Sequence, residues 1–117
     1  MTFLLLFAAC APATMDTALF EADVGWADVE PIMREYCTRC HERGGRMDEG
    51  VAVDTYGDAS ARATGVVCTT IGQEVVDAYG LSCSGYAVFS MPPGSSDRAH
   101  LDQQQILARW LELGAPE

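Results

Sequence analysis

The run Cys37-Thr38-Arg39-Cys40-His41 constrains this chain more than any other feature of its sequence. Two thiols three residues apart on one helical turn can reach both vinyl groups of a porphyrin, and the imidazole of the next residue then lies beneath the iron. A Cys-x-x-Cys-His run therefore predicts covalent attachment of one haem. Cys37 and Cys40 are the predicted attachment residues, and His41 is the predicted proximal iron ligand.

Two other uses of paired cysteines compete with this interpretation. A zinc half-site needs further ligands at matching spacing, and a thioredoxin-type redox pair needs a βαβ setting. The sequence contains no second Cys-x-x-Cys run and no His-x-His run. Haem attachment therefore stays the prediction.

The chain length agrees with a bound haem. A chain of 117 residues with a short leader forms a small domain whose core is marginal without an added staple. The two apolar faces of a haem supply additional apolar surface for the chain to bury. We expect the haem-free chain to be mostly unfolded.

A second iron ligand is predicted at Met91, in the run Met91-Pro92-Pro93-Gly94. The prolines stiffen the segment and remove two backbone donors, and a thioether ligand favours ferrous iron. Met91 as a gap-filling core residue is the plain alternative. His100, Met47 and an open sixth position are the other candidates.

The N-terminus predicts export. Residues 1–9 are apolar, too short to span a bilayer, and are predicted to be a signal peptide of the lipoprotein type, with Cys10 as the lipidated residue. An ordinary signal cleaved near Ala11-Pro12-Ala13 is the alternative. Residues 10–25 are predicted to be a tether and residues 26–117 the haem domain. The expected location is the periplasm, with a lipid anchor in the membrane.

Cys68 and Cys83 remain after these assignments. In an oxidising compartment they are expected to form a disulfide that closes a loop of about fifteen residues. Two buried free thiols are the alternative, since Cys packs as a small hydrophobe.

Helical periodicity and helix caps predict the remaining structure. One helix is expected to begin near Asp28, with Pro31 in its first turn, and to deliver the haem motif at its end. A second is expected from Tyr56 to about Ala63, with Asp54-Thr55 as its cap, and residues 65–86 are assigned as helix plus loop. Four apolar residues form the stripe of that middle region: Val67, Ile71, Val75 and Tyr79.

The last helix carries start and stop signals. Asp102 as cap and Gln105 three residues later form a predicted capping box. Gly114 and Pro116 mark its end. Trp110 is predicted to be a core residue.

Composition limits the partners. The net charge is −10, and every basic residue is Arg. Such a surface repels nucleic acid but steers toward a basic docking face on a redox partner protein.

These motifs together resemble the class I cytochrome c family: the Cys37 to His41 run, the Met91 to Gly94 run, and Trp110-Leu111-Glu112-Leu113-Gly114-Ala115-Pro116. The resemblance implies an all-α cytochrome c fold in which the N- and C-terminal helices cross beside the haem. It implies His41 and Met91 as the axial ligands of a haem c.

The function expected from this resemblance is single-electron transfer between redox partners, without enzymatic activity. A gas sensor or peroxidase-like haem protein with an open sixth position is one alternative. An electron-accepting subunit of a larger oxidoreductase is the other.

Overall fold

The computed structural model describes residues 14–37, 53–92 and 98–117. Every regular element within these ranges is a helix, so the predicted all-α class is confirmed for the described part of the chain. A short 3-10 helix, Thr17–Phe20, precedes five α-helices. These are α1 (Trp26–Tyr36), α2 (Tyr56–Ala61), α3 (Ala63–Thr70), α4 (Gln73–Tyr79) and α5 (Leu101–Glu112).

Helix α5 is the centre of the described structure, because α1, α3, α4 and the 3-10 helix all contact it. Trp110 on α5 is fully buried, as predicted, and its indole N–H donates to the carbonyl of Pro116 at 2.8 Å. The Trp26 and Trp110 rings pack 6.1 Å apart where α1 meets α5. At the other end of this contact, the Tyr36 hydroxyl donates to Gln103 Oε1 at 2.8 Å.

Helix α1 begins two residues before the predicted cap at Asp28. Gly25 is the N-cap, and its N–H donates to Asp28 Oδ2 at 3.0 Å. A Cβ on Gly25 would lie 2.9 Å from the Glu117 carbonyl oxygen, so glycine is required for this close approach. Pro31 consequently falls beyond the first turn.

Residues 65–86 form α3 and α4 followed by a loop, in agreement with the predicted helix plus loop. Thr55 caps α2 by accepting from the Asp58 N–H at 3.2 Å. Gly72 separates α3 from α4, and Gly80 ends α4 in the left-handed region at φ 62°. The predicted apolar stripe is buried in full: Val67, Ile71, Val75 and Tyr79.

Helix α5 also begins earlier than predicted, with His100 rather than Asp102 as its N-cap. The His100 N–H donates to Gln103 Oε1 at 2.9 Å, so Gln103 takes the role predicted for Gln105. His100 itself is exposed. The predicted stop is confirmed, since Gly114 follows the helix with φ 91°.

Residues 14–25 pack against the helices, although they belong to the segment predicted to be a tether. The Asp16 N–H donates to Gln105 Oε1 at 2.9 Å, and Gln105 Nε2 donates to the Asp16 carbonyl at 2.9 Å and the Tyr79 hydroxyl at 3.1 Å. Phe20 stacks on Tyr79 with ring centroids 4.5 Å apart. The buried Gln105 thus joins this segment to α4 and α5, and Arg109 Nε adds a bond to the Ala22 carbonyl at 2.9 Å. The sequence of residues 14–25 has no periodic pattern that predicts this packing.

The Gln105→Met substitution is expected to lower the free energy of unfolding by about 1–3 kcal/mol, because it leaves buried polar groups without partners. Gln73→Met on the exposed face of α4 is the matched control, since Gln73 is exposed and its Nε2 donates to Asp77 on the same helix. Urea denaturation of both variants measures the difference. Equal stabilities would show that the Gln105 contacts do not hold residues 14–25.

Candidate haem site

An apolar cavity of about 470 Å³ lies between the end of α1, one face of α2 and α3, and the segment that follows α4. This volume falls within the range of about 300–1,000 Å³ that is typical of small-molecule and cofactor sites. Its lining consists of apolar side chains with a few polar groups: Cys37, Val53, Ala61, Arg62, Gly65, Val66, Thr69, Thr70, Tyr86 and Met91.

Cys37 reaches the cavity from the C-terminal end of α1. It follows the last helical residue, and its N–H donates to the Met33 carbonyl at 2.8 Å. Burial raises the pKa of the Cys37 thiol to about 11. The sulfur is therefore uncharged at neutral pH, which suits an apolar wall. It is also a weak nucleophile, since the thiolate is the reactive form.

Met91 lines the same cavity from a distant part of the chain. Its N–H donates to the Thr69 carbonyl at the end of α3 at 2.9 Å, and the Met91–Pro92 peptide bond is cis. The structure thus brings together one predicted attachment residue and the predicted sixth ligand on one cavity.

Other predicted site residues lie outside the described ranges. Cys40 and His41 fall within residues 38–52, as does the alternative ligand Met47. The predicted lipidation residue Cys10 and the signal peptide fall within residues 1–13. These assignments stay predictions.

Arg62 and Tyr86 are cavity residues that the sequence analysis did not identify. Arg62 is the charged side chain among the described lining residues, and its Nη1 donates to the Asp58 carbonyl at 3.3 Å. Tyr86 is 44% exposed, and a Cβ on Gly65 would lie 3.1 Å from its Cε1 atom. In the sequence, Tyr86 lies outside any periodic pattern, so no local signal predicted this contact.

The Cys68–Cys83 disulfide, predicted from the cysteine count, is confirmed. Its Cα atoms lie 5.5 Å apart, and both residues are buried. Cys68 belongs to α3, one residue before Thr69, and Cys83 follows α4. The bridge therefore ties the Met91-bearing segment to the helix that forms one cavity wall.

Within residues 14–37, 53–92 and 98–117, no group of three or more His, Cys, Asp or Glu side chains is arranged to hold a metal ion. None of the helices in these ranges combines the length and apolarity that crossing a membrane requires.

No family model, curated protein or solved structure matches this chain. The assignment of the cavity therefore depends on the haem motif and on the residues that line the cavity.

Proposed function

We propose that this protein is a periplasmic monohaem c-type cytochrome that transfers single electrons between redox partners. One observation carries the proposal: Cys37, the first residue of the haem motif, and Met91, the predicted sixth ligand, line the same apolar cavity. If Met91 were only a packing residue with no relation to Cys37, nothing would require a cavity of ligand size between the end of α1 and the segment that carries Met91.

The described residues fit a haem in their chemistry. The wall around Val53 and Val66 offers apolar surface to a porphyrin face, and Cys37, one of the two predicted attachment residues, lines the same cavity with a neutral thiol. Cys37 and Cys40 would hold the group covalently, and His41 and Met91 would bind its iron. When bound, the haem supplies an iron that alternates between the ferrous and ferric states.

The protein residues would set how readily that iron changes state. The soft sulfur of Met91 favours the ferrous form and raises the reduction potential. The apolar part of the wall would give the iron a surrounding of low dielectric constant, which also disfavours the more highly charged ferric form. Both contributions suit an electron carrier of fairly high potential.

The contact between α1 and α5 supports the resemblance to class I cytochromes c. The helix that ends at Cys37 packs against the last helix through Trp26 and Trp110 and through Tyr36 and Gln103. We propose that these are the N- and C-terminal helices that cross beside the haem in that family.

The charge of the protein supports a basic docking partner. Exposed acidic residues occur on the described surface of α1, α4 and α5, including Glu35, Asp77 and Asp102, and the net charge is −10. Charges of this sign accelerate encounter with a basic face and repel nucleic acid. Lipidation at Cys10 would keep the carrier at the membrane.

The first test is expression of the chain in a bacterial periplasm with a haem-attachment system, followed by absorption spectra with and without carbon monoxide. The proposal predicts covalently bound haem, the weak long-wavelength sulfur-to-ferric-iron band, and little response to carbon monoxide. Covalent haem without that band, with ready carbon monoxide binding, would contradict the carrier function and favour a sensor or peroxidase-like protein. Stable co-purification with a larger oxidoreductase would identify it as a dedicated subunit.

A further inference from the structure

The segment that carries Met91 lies along α3 and contacts it at three positions. Near the start of the segment, Cys83 is bonded to Cys68. Farther along, the Tyr86 ring lies over Gly65. At its end, the Met91 N–H donates to the Thr69 carbonyl at 2.9 Å.

The three contacted residues of α3 share one side of the helix. Gly65, Cys68 and Thr69 are spaced at i, i+3 and i+4, which places them on neighbouring turns of the same face. Thr69 is itself fixed, because its Oγ1 donates to the Gly65 carbonyl at 2.7 Å. Of the three contacts, only the disulfide is covalent, since the others are a ring resting on a glycine and a single hydrogen bond.

We propose that the Cys68–Cys83 disulfide is a positioning device for the sixth iron ligand, an inference that rests on the function proposed above. It anchors residues 81–92 to α3 so that the Met91 sulfur is presented to the iron. Cys68 and Cys83 are absent from the residues that line the cavity, so their effect on the iron passes through Met91. Without the bridge, the segment detaches while the core helices persist.

The expected size of the effect follows from the length of the bridged loop. Cys68 and Cys83 are 15 positions apart, and closing a fully flexible loop of this length restricts it by roughly 100-fold. Because α4 stays folded within this loop, the factor is an upper limit. Removing the bridge should therefore raise the population with Met91 away from the iron by up to about 100-fold.

The test compares wild-type protein with the double variant Cys68→Ala/Cys83→Ala, both loaded with haem in the periplasm. The variant is expected to lose much of the sulfur-to-ferric-iron band and to have a lower reduction potential. It is also expected to bind carbon monoxide up to about 100-fold faster. A readout independent of the iron is hydrogen exchange at the Met91 amide, which should accelerate by a similar factor.

Val29→Ala is the matched control, because Val29 is fully buried in α1 and does not line the cavity. It weakens the core but leaves the bridge intact, so the band should persist until the whole protein unfolds. A double variant with wild-type band, carbon monoxide rate and Met91 exchange would overturn the proposal.

Chemical cleavage of the bridge after assembly covers the case in which the double variant does not fold. A small dithiol reduces the disulfide to two thiols and is itself oxidised to a cyclic disulfide. The thiols are then alkylated and the iron is reoxidised with ferricyanide. Loss of the band supports the inference, whereas an unchanged band contradicts it. A wild-type chain that lacks the band would instead contradict the proposed function, and Met91 amide exchange would still decide whether the bridge holds the segment.

Discussion

A chain carrying Cys37→Ala and Cys40→Ala is expected to contain no covalent haem and to lose most of its helix content. Thioether formation needs both sulfurs of the motif, and the cavity beside Cys37 is apolar. Without a haem to fill the cavity, the chain exposes this apolar wall to water. In a chain of 117 residues the buried core is small, so this exposure removes a large part of the free energy of unfolding. Intact mass and circular dichroism of the purified chain measure the two effects.

The double variant Cys68→Ala/Cys83→Ala serves here as the matched control, because it removes the same number of cysteines from outside the motif. It should gain the mass of one haem, as the wild type does. Covalent haem in the motif variant would contradict the assignment of Cys37 and Cys40.

The substitution Met91→Leu is expected to abolish the sulfur-to-ferric-iron band and to open the iron to carbon monoxide. Leucine is close to methionine in volume but has no sulfur to bind iron. The reduction potential should fall by an amount on the order of 0.2 V, a part of the span of about 0.8 V that axial ligands control. Spectroelectrochemistry of the haem-loaded variant provides both measurements.

Met33→Leu is the control for this change. Met33 is buried in α1 with 1% of its surface exposed and is not among the cavity residues. A Met-to-Leu exchange in a core usually costs less than about 1.5 kcal/mol, so the spectrum and potential should match the wild type. A band that survives Met91→Leu but disappears in Met33→Leu would show that Met33, and not Met91, is the iron ligand.

The sequence predicted the elements that have local signals. Gly114 ends α5, Thr55 caps α2, and the stripe from Val67 to Tyr79 is buried because its helical spacing is a property of the sequence itself. The Cys68–Cys83 bridge followed from counting cysteines, and its pairing needed no knowledge of the fold once the other cysteines had roles.

The predictions were less accurate where a tertiary contact determines the structure. Helix α5 begins at Leu101 because Gln103 caps the His100 N–H, while Gln105 is drawn inward by Asp16 and Tyr79. Both glutamines are compatible with a capping box in the sequence, and only packing separates them. For the same reason residues 14–25 read as a tether although they pack on α4 and α5.

The cavity lining was predicted in part. Cys37 and Met91 were identified by motif, because the predicted covalent and axial haem ligands need particular residue types. Arg62 and Tyr86 were not, since they reach the cavity only through the turn between α2 and α3 and through the segment bridged to α3. Their positions depend on the fold rather than on local sequence.

The most direct test of the haem pocket is the proton NMR spectrum of the reduced, haem-loaded protein with carbon-13 labelled methionine methyl groups. A methyl group bound above the iron lies in the ring current of the porphyrin and moves far upfield of ordinary methionine signals. We predict one such signal, which disappears in Met91→Leu and persists in Met33→Leu. Methionine methyl signals that all lie in the ordinary range, or an upfield signal that survives Met91→Leu, would contradict the proposed site.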